Sequence, residues 1–192
     1  MTALRDVART AVRDEVLRHA WRLFADQGFE ATTIDQVAGA AGMSRRTFFR
    51  YFSGKDELIL ARMVEAGEWV ADALAARPAN EPAWPAMRAA FDAIVRIQDA
   101  KSEPSRTLQR LLRDEPGVRA SLEERRRFWL ARLTPLVEPR VAPGADRKLR
   151  AEAVVGAAIA CLDLAQGTWG DSDSHSLGAL LDRAMAAVAP LT

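Results

Sequence analysis

The sequence predicts an all-α protein of about nine helices: an N-terminal helix-turn-helix unit followed by a larger helical domain. Three observations carry that expectation. Apolar residues recur at three- and four-residue spacings, and the strict alternation of a half-buried strand is hard to find. β-Branched residues are sparse, whereas Ala and Leu abound. The periodic segments are bounded by capping residues, glycine and proline, the punctuation of short helices in series.

The first helix is expected over residues 7–27, with Val16, Ala20, Leu23 and Phe24 as its inner stripe. Gly28 follows as a left-handed cap, and Phe29 returns to the core. Thr33-Ile34-Asp35-Gln36 fits a capping box, so a second helix begins there, with Ile34, Val37, Ala38 and Ala41 inward and Gly42 as its stop. Ser44 caps a third helix over 45–52, Ser53-Gly54 breaks the chain, and a long fourth helix covers 56–77. The linker RPANEPAWP leads to a helix near 84–100. Pro104 opens a short helix that ends near DEPG, and another covers 118–137. After the loop EPRVAPGAD, two last helices span 147–169 and 174–189, separated by the polar turn GDSDSHS. The organisation expected is a helix-turn-helix domain over 1–54 and a larger helical domain over 55–192.

Composition excludes several classes. The chain has 192 residues, 49% hydrophobic and 28% charged, which is ordinary for a globular protein. Its net charge is only +1, so any nucleic-acid binding must come from a local cluster. Cys161 is the single cysteine, so no intrachain disulfide forms, and a reducing cytoplasm is expected. Residues 1–22 hold no apolar run of the kind a leader needs, and the longest weakly polar run, AVVGAAIACL, is about half a bilayer span. No membrane partner is expected. Catalysis is not expected either: Cys161 lies in an apolar helix, His19 on a solvated face and His175 in a polar turn. No metal-ligand spacing, phosphate-binding glycine loop or nucleophile elbow is present, so no metal or cofactor is expected.

Function concentrates in the stretch GMSRRTFFRYFSGKDEL, residues 42–58. Four cations (Arg45, Arg46, Arg50, Lys55) precede its first acid, Asp56, and they are interleaved with aromatic rings. Gly42-Met43-Ser44 joins two short helices in helix-turn-helix geometry. The second helix of such a pair lies in the DNA major groove with its N-terminal residues, here Ser44, Arg45, Arg46 and Thr47, at the base edges. An arginine paired to guanine contributes about 1–3 kcal/mol of base discrimination. Free N–H groups where the second, third and fourth helices start can donate to phosphate oxygens. Phe48 and Phe52, four apart, are expected in the core. No acid within the stretch pairs the cations, so they are expected to be unpaired and to face DNA.

The run AWRLFADQGFEATTIDQVAGAAGMSRRTFFRYFSGKDELI resembles the TetR family of bacterial transcriptional repressors. The matching features are Leu23-Phe24, Gly28-Phe29, Thr32-Thr33, the Ile34/Val37-Ala38/Ala41-Gly42 pattern, Ser44, Phe52 and Lys55. The resemblance implies that Thr33 contacts phosphate, that Ser44, Arg45, Arg46, Thr47, Phe49, Arg50 and Tyr51 form the recognition segment, and that Lys55 contacts the DNA backbone. Two positions depart from the family. Phe49 stands where a tyrosine is common, and Arg46 stands where a small residue is common.

The remaining helices need a purpose. Gly156, Ala160, Asp163 and Gly167 share one stripe of the penultimate helix, and Leu177, Leu181, Ala184 and Val188 share one face of the last. Two copies of such a pair form a four-helix bundle, and the family dimerises through its last two long helices. The middle helices are rich in large side chains, among them Trp84, Phe128 and Ile159, which read mostly as core. A ligand pocket is expected from Trp69, Met87, Phe91, Ile94, Trp129, Leu162 and Trp169, with Gln98 and Gln166 orienting an unidentified small molecule. The expectation is a dimeric repressor that binds a palindromic operator in double-stranded DNA and is released by a small, mostly apolar ligand. The alternatives are a DNA-binding dimer without an effector, or an activator.

Overall fold

The computed structural model describes residues 2–100, 103, 105–106, 109–110, 118–171 and 174–190. They are helical with short connections, and no strand occurs among them. The helices are α1 (Thr2–Gln27), α2 (Ile34–Ala40), α3 (Arg45–Phe48), α4 (Lys55–Ala75), α5 (Ala83–Ala90), α6 (Asp92–Ala100), α7 (Val118–Val137), α8 (Arg147–Asp171) and α9 (Leu177–Val188). The short helix expected after Pro104, with its DEPG end, lies largely outside the described residues, as do two residues of the GDSDSHS turn. The described helices are not long and apolar enough to cross a membrane.

The chain forms two compact units, Met1–Arg62 and Met63–Thr192. In the first, Val16, Leu17, Ala20, Phe24, Phe29, Val37, Ala38, Phe48, Phe52, Leu58 and Ile59 are buried. Leu23 and Ile34, expected inward, are half-buried, and Leu17 takes a place that the expected stripe omitted. Gly28 (φ 88°) and Gly42 (φ 67°) adopt the left-handed conformation that lets α1 and α2 stop and the chain turn back.

The second unit is built on α8. Helices α7 and α9 both pack along it, and its buried face carries Val155, Ile159, Leu162 and Trp169. The single helix expected over 84–100 is two helices, broken at Phe91. The Phe91 carbonyl accepts from the amides of both Ile94 (2.9 Å) and Val95 (3.0 Å), which re-forms the ladder after one residue. Helix ends are tied from a distance. Arg140, just past α7, donates to the Leu74 and Arg77 carbonyls (both 3.1 Å) at the end of α4, where the helix dipole favours a cation. Asp99 accepts from the Leu177 amide (3.0 Å) at the start of α9, whose cap is Ser176.

Candidate nucleic-acid interface

Local chemistry builds the α2–α3 pair. Thr33 Oγ1 accepts from the Gln36 amide (3.2 Å), and the Gln36 side chain accepts from the Thr33 amide (2.8 Å), which completes the capping box. Buried Thr32 donates to the Gly28 carbonyl (2.6 Å) and joins α1 to α2. Ser44 Oγ accepts from the Thr47 amide (3.1 Å), and the Ser44 and Thr47 hydroxyls share a hydrogen bond of 2.9 Å. Helix α3 ends at Phe48 rather than continuing to Phe52. Residues 49–51 form tighter turns, with the Arg50 amide bonded to the Thr47 carbonyl and the Tyr51 amide to the Phe48 carbonyl. Arg13 of α1 donates to the Tyr51 carbonyl at this end, and its guanidinium lies 4.2 Å above the Phe52 ring.

The rings divide as their spacing requires. Phe48 and Phe52 are fully buried and 5.7 Å apart, and they fix α3 to its unit. Phe49, 45% exposed, meets Phe48 edge-on and otherwise faces solvent. Ser44, Arg45, Arg46 and Arg50 are exposed, whereas Thr47 and Tyr51 are half-buried.

Two of the four cations are not unpaired, contrary to expectation. Arg45 forms an ion pair with Asp35 of α2 (3.0 Å) and lies 5.4 Å from the Phe49 ring. Lys55 donates to the Phe29 carbonyl (2.8 Å) and sits 4.4 Å above the Phe29 ring, so it also braces the α1–α2 corner. The partners come from other elements, ten and twenty-six residues away in sequence, so the stretch 42–58 by itself could not reveal them. Arg46 and Arg50 make no ion pair among the described residues. Glu57 was not anticipated. It accepts from the Ser53 amide (2.6 Å) and from Arg13 (3.3 Å). Burial alone would raise its pKa, but the Ser53 bond and the Arg13 charge outweigh burial and hold the carboxyl below its ordinary range.

The second unit corrects one further expectation. Leu177 and Leu181 are fully buried with Met185 in the core of their own unit, so they are not free to meet a second chain. The expected face is the one that turns inward, with Met185 added and Ala184 packed at its edge. Ala184 is half-buried and Val188 is 59% exposed. On α8, Gly156, Ala160, Asp163 and Gly167 are half-buried, beside exposed Leu149 and Leu164. Asp163 is held by Arg125 of α7 (2.6 Å). The two glutamines expected to orient a ligand lie together, Gln166 Nε2 donating to Gln98 Oε1 (3.1 Å), because α6 brings Gln98 against α8. Met87, Phe91, Ile94, Trp129, Leu162 and Trp169 are buried together, with Trp69 half-buried. The Trp169 indole N–H is buried and meets no hydrogen-bond partner among the described residues. A surface groove of about 810 Å³ runs between α7 and α8, its lining including Leu130, Leu149, Ala153 and Gly156.

Comparison with known proteins follows the same division. Residues 16–61 match the bacterial regulatory proteins of the tetR family, and residues 81–191 match the MftR C-terminal domain. The chain is 31% identical over 187 residues to the HTH-type transcriptional regulator TcmR of Streptomyces glaucescens, covering 93% of this chain and 83% of that protein. Among solved structures, FadR of Thermus thermophilus, a repressor in complex with lauroyl-CoA, superposes with a TM-score of 0.60 at 24% identity, covering 91% of each chain. FadR of Bacillus subtilis, in complex with stearoyl-CoA, superposes with a TM-score of 0.63 at 16% identity, covering 93% of this chain and 98% of the other. These two likenesses are of fold.

Proposed function

The chain belongs to the TetR family of bacterial transcriptional regulators, and from that premise we propose that it is a cytoplasmic, dimeric repressor that reads a palindromic operator with residues 44–51. The observation that carries the reading is the division of the 42–58 stretch. Its buried rings fix α3, and Arg46, Phe49 and Arg50 stand exposed, the two arginines without an acid. Ser44, Arg45, Arg46, Thr47, Phe49, Arg50 and Tyr51 are the groove-facing set, and Thr33 and Lys55 meet phosphate. Arg45 exchanges Asp35 for DNA at little cost, since an exposed ion pair contributes about 0–1 kcal/mol.

Two copies join through the outer face of α8. Leu149, Ala153, Gly156, Ala160, Leu164 and Gly167 follow one another at three- and four-residue steps, which makes a continuous stripe. Leu149 and Leu164, 67% and 68% exposed, are the large apolar side chains that such contact covers. The α7–α8 groove is continuous with the stripe and lies within the covered face.

The effector is a small molecule with an apolar body that enters among Met87, Phe91, Ile94, Trp129 and Leu162. Support comes from the acyl-CoA complexes of the two FadR proteins of like fold. Regulation without an effector is favoured by one observation, the Gln98–Gln166 bond, which leaves that pair satisfied with no ligand. Enrichment from a random-sequence DNA library by the purified chain tests the core of the proposal. A palindromic consensus, bound by wild type and lost by Arg46→Ala, is expected. A chain that enriches no sequence sinks it. Titration of the bound fragment with lauroyl-CoA then tests the effector class, and unchanged affinity at saturation removes acyl-CoA from it.

A further inference from the structure

Asp35, in the first turn of α2, accepts a hydrogen bond from Arg45 of α3, Nη1 donating to Oδ2 at 3.0 Å. Both side chains are exposed. The same guanidinium lies 5.4 Å from the centroid of the Phe49 ring. One acid and one ring therefore set the course of this long side chain before DNA arrives. The cap of α2 does not call for the acid, since Thr33 and Gln36 complete the capping box between themselves. Stability does not call for it either, because an exposed ion pair contributes little. On a face that meets phosphates, a carboxylate repels the backbone of every sequence alike. A useful task for Asp35 on this face is one that depends on sequence.

The donors of Arg45 supply such a task. A guanidinium carries five N–H donors in a rigid plane. Asp35 takes one of them, on Nη1. Nε and Nη2 share another edge of the plane and make no hydrogen bond among the described residues. Guanine presents two acceptors, O6 and N7, that suit a bidentate arginine edge. Arg45 can therefore keep Asp35 and read a guanine at the same time. A phosphate carries no sequence information and lies away from the base edges. To reach one, Arg45 leaves its course and exchanges the acid for the phosphate, one charged oxygen partner for another.

We propose that Asp35 is a specificity-determining residue: it holds the fork of Arg45 toward a guanine and makes a wrong base cost the ion pair. This role rests on the DNA-binding reading above and names how one base pair is read. With guanine in place, Arg45 keeps Asp35 and the base together, and its side chain is ordered in advance. With any other base, Arg45 either stays on Asp35 and makes no DNA contact, or gives up Asp35 for a phosphate. That exchange is cheap, but every wrong base incurs it. Asp35 touches no DNA and acts through Arg45, so it is a positioning residue. Arg46 and Arg50 make no ion pair among the described residues and lack this bias.

Competition binding with the full-length chain tests the role. The probes are the DNA enriched by the wild type and copies with one base pair of one half-site changed at a time. Arg45→Ala is expected to lose its preference at a single base pair, and the base is expected to be guanine. At that base pair Asp35→Asn is expected to cut the preference roughly two- to fivefold, the equivalent of one exposed ion pair. The fall comes from tighter binding of the changed DNA, and the other base pairs keep their preference. In the Arg45→Ala background Asp35→Asn is expected to shift all probes together, because only the loss of a general repulsion remains. Four results overturn the role of Asp35 and leave the DNA-binding reading standing: an unchanged preference in Asp35→Asn, a fall spread over all base pairs, a base other than guanine under Arg45, or an effect at one base pair that persists without Arg45. A wild type that enriches no sequence overturns both.

Discussion

Arg45 and Arg46 are neighbours with different local chemistry. Arg45 is pre-oriented by Asp35, whereas Arg46 is exposed and spends no donor on an acid. Arg46→Ala is expected to weaken binding to the enriched DNA by about 1–3 kcal/mol, roughly five- to 150-fold, with a much smaller loss on scrambled DNA. Equal loss on both, measured by fluorescence anisotropy, would make Arg46 a phosphate contact instead. Glu57 gives a prediction in pH. Its pKa is depressed on folding by the Ser53 amide and Arg13 acting against burial. Its contribution to stability is therefore present above the unfolded-state pKa and lost as pH falls through the folded value. Denaturant midpoints taken downward from neutral pH should fall more steeply for wild type than for Glu57→Gln once pH drops below about 4.5. Parallel profiles would show that Glu57 does not titrate on unfolding.

Helices α2 and α3 are too short to stand on propensity, with seven and four residues. Caps and the buried rings hold them. Thr33→Ala removes the hydroxyl of the capping box and is expected to cost about 0.5–2 kcal/mol, read as a lower denaturant midpoint without a change in slope. The extent of α3 shows where sequence reasoning thins out. The spacing of Phe48 and Phe52 fits a helix over 45–52, yet the tighter turn at 49–51 keeps both rings buried. Apolar period alone does not separate the two. The far end of α4 teaches the same lesson. Its carbonyls are served by Arg140, more than sixty residues away, and no local pattern announces that bond.

At the scale of the whole molecule, the last two helices differ in what their apolar faces meet, since α9 buries its face in its own unit and α8 leaves Leu149 and Leu164 exposed. Leu181 of α9 closes the core, so Leu181→Ala is expected to cost about 2–5 kcal/mol while the assembly stays dimeric. Leu164 of α8 lies on the outer stripe, so Leu164→Arg is expected to yield monomer by light scattering, with specific DNA affinity sharply lower and helix content retained. A dimer that survives Leu164→Arg would move the interface elsewhere. The sequence by itself determined the all-helical class, the caps at Thr33 and Ser44, the left-handed cap at Gly28, the stop at Gly42, and the burial of Phe48 and Phe52. Each of these follows from residues within a few positions of one another. Only the tertiary structure decided which acid meets Arg45, what covers the Leu177–Leu181 face of α9, and that Gln98 and Gln166 bond each other. A helical stripe states that a face is apolar, and a polar side chain states that it needs a partner. What covers the face, and which partner arrives, depend on helices distant in sequence that the fold brings alongside.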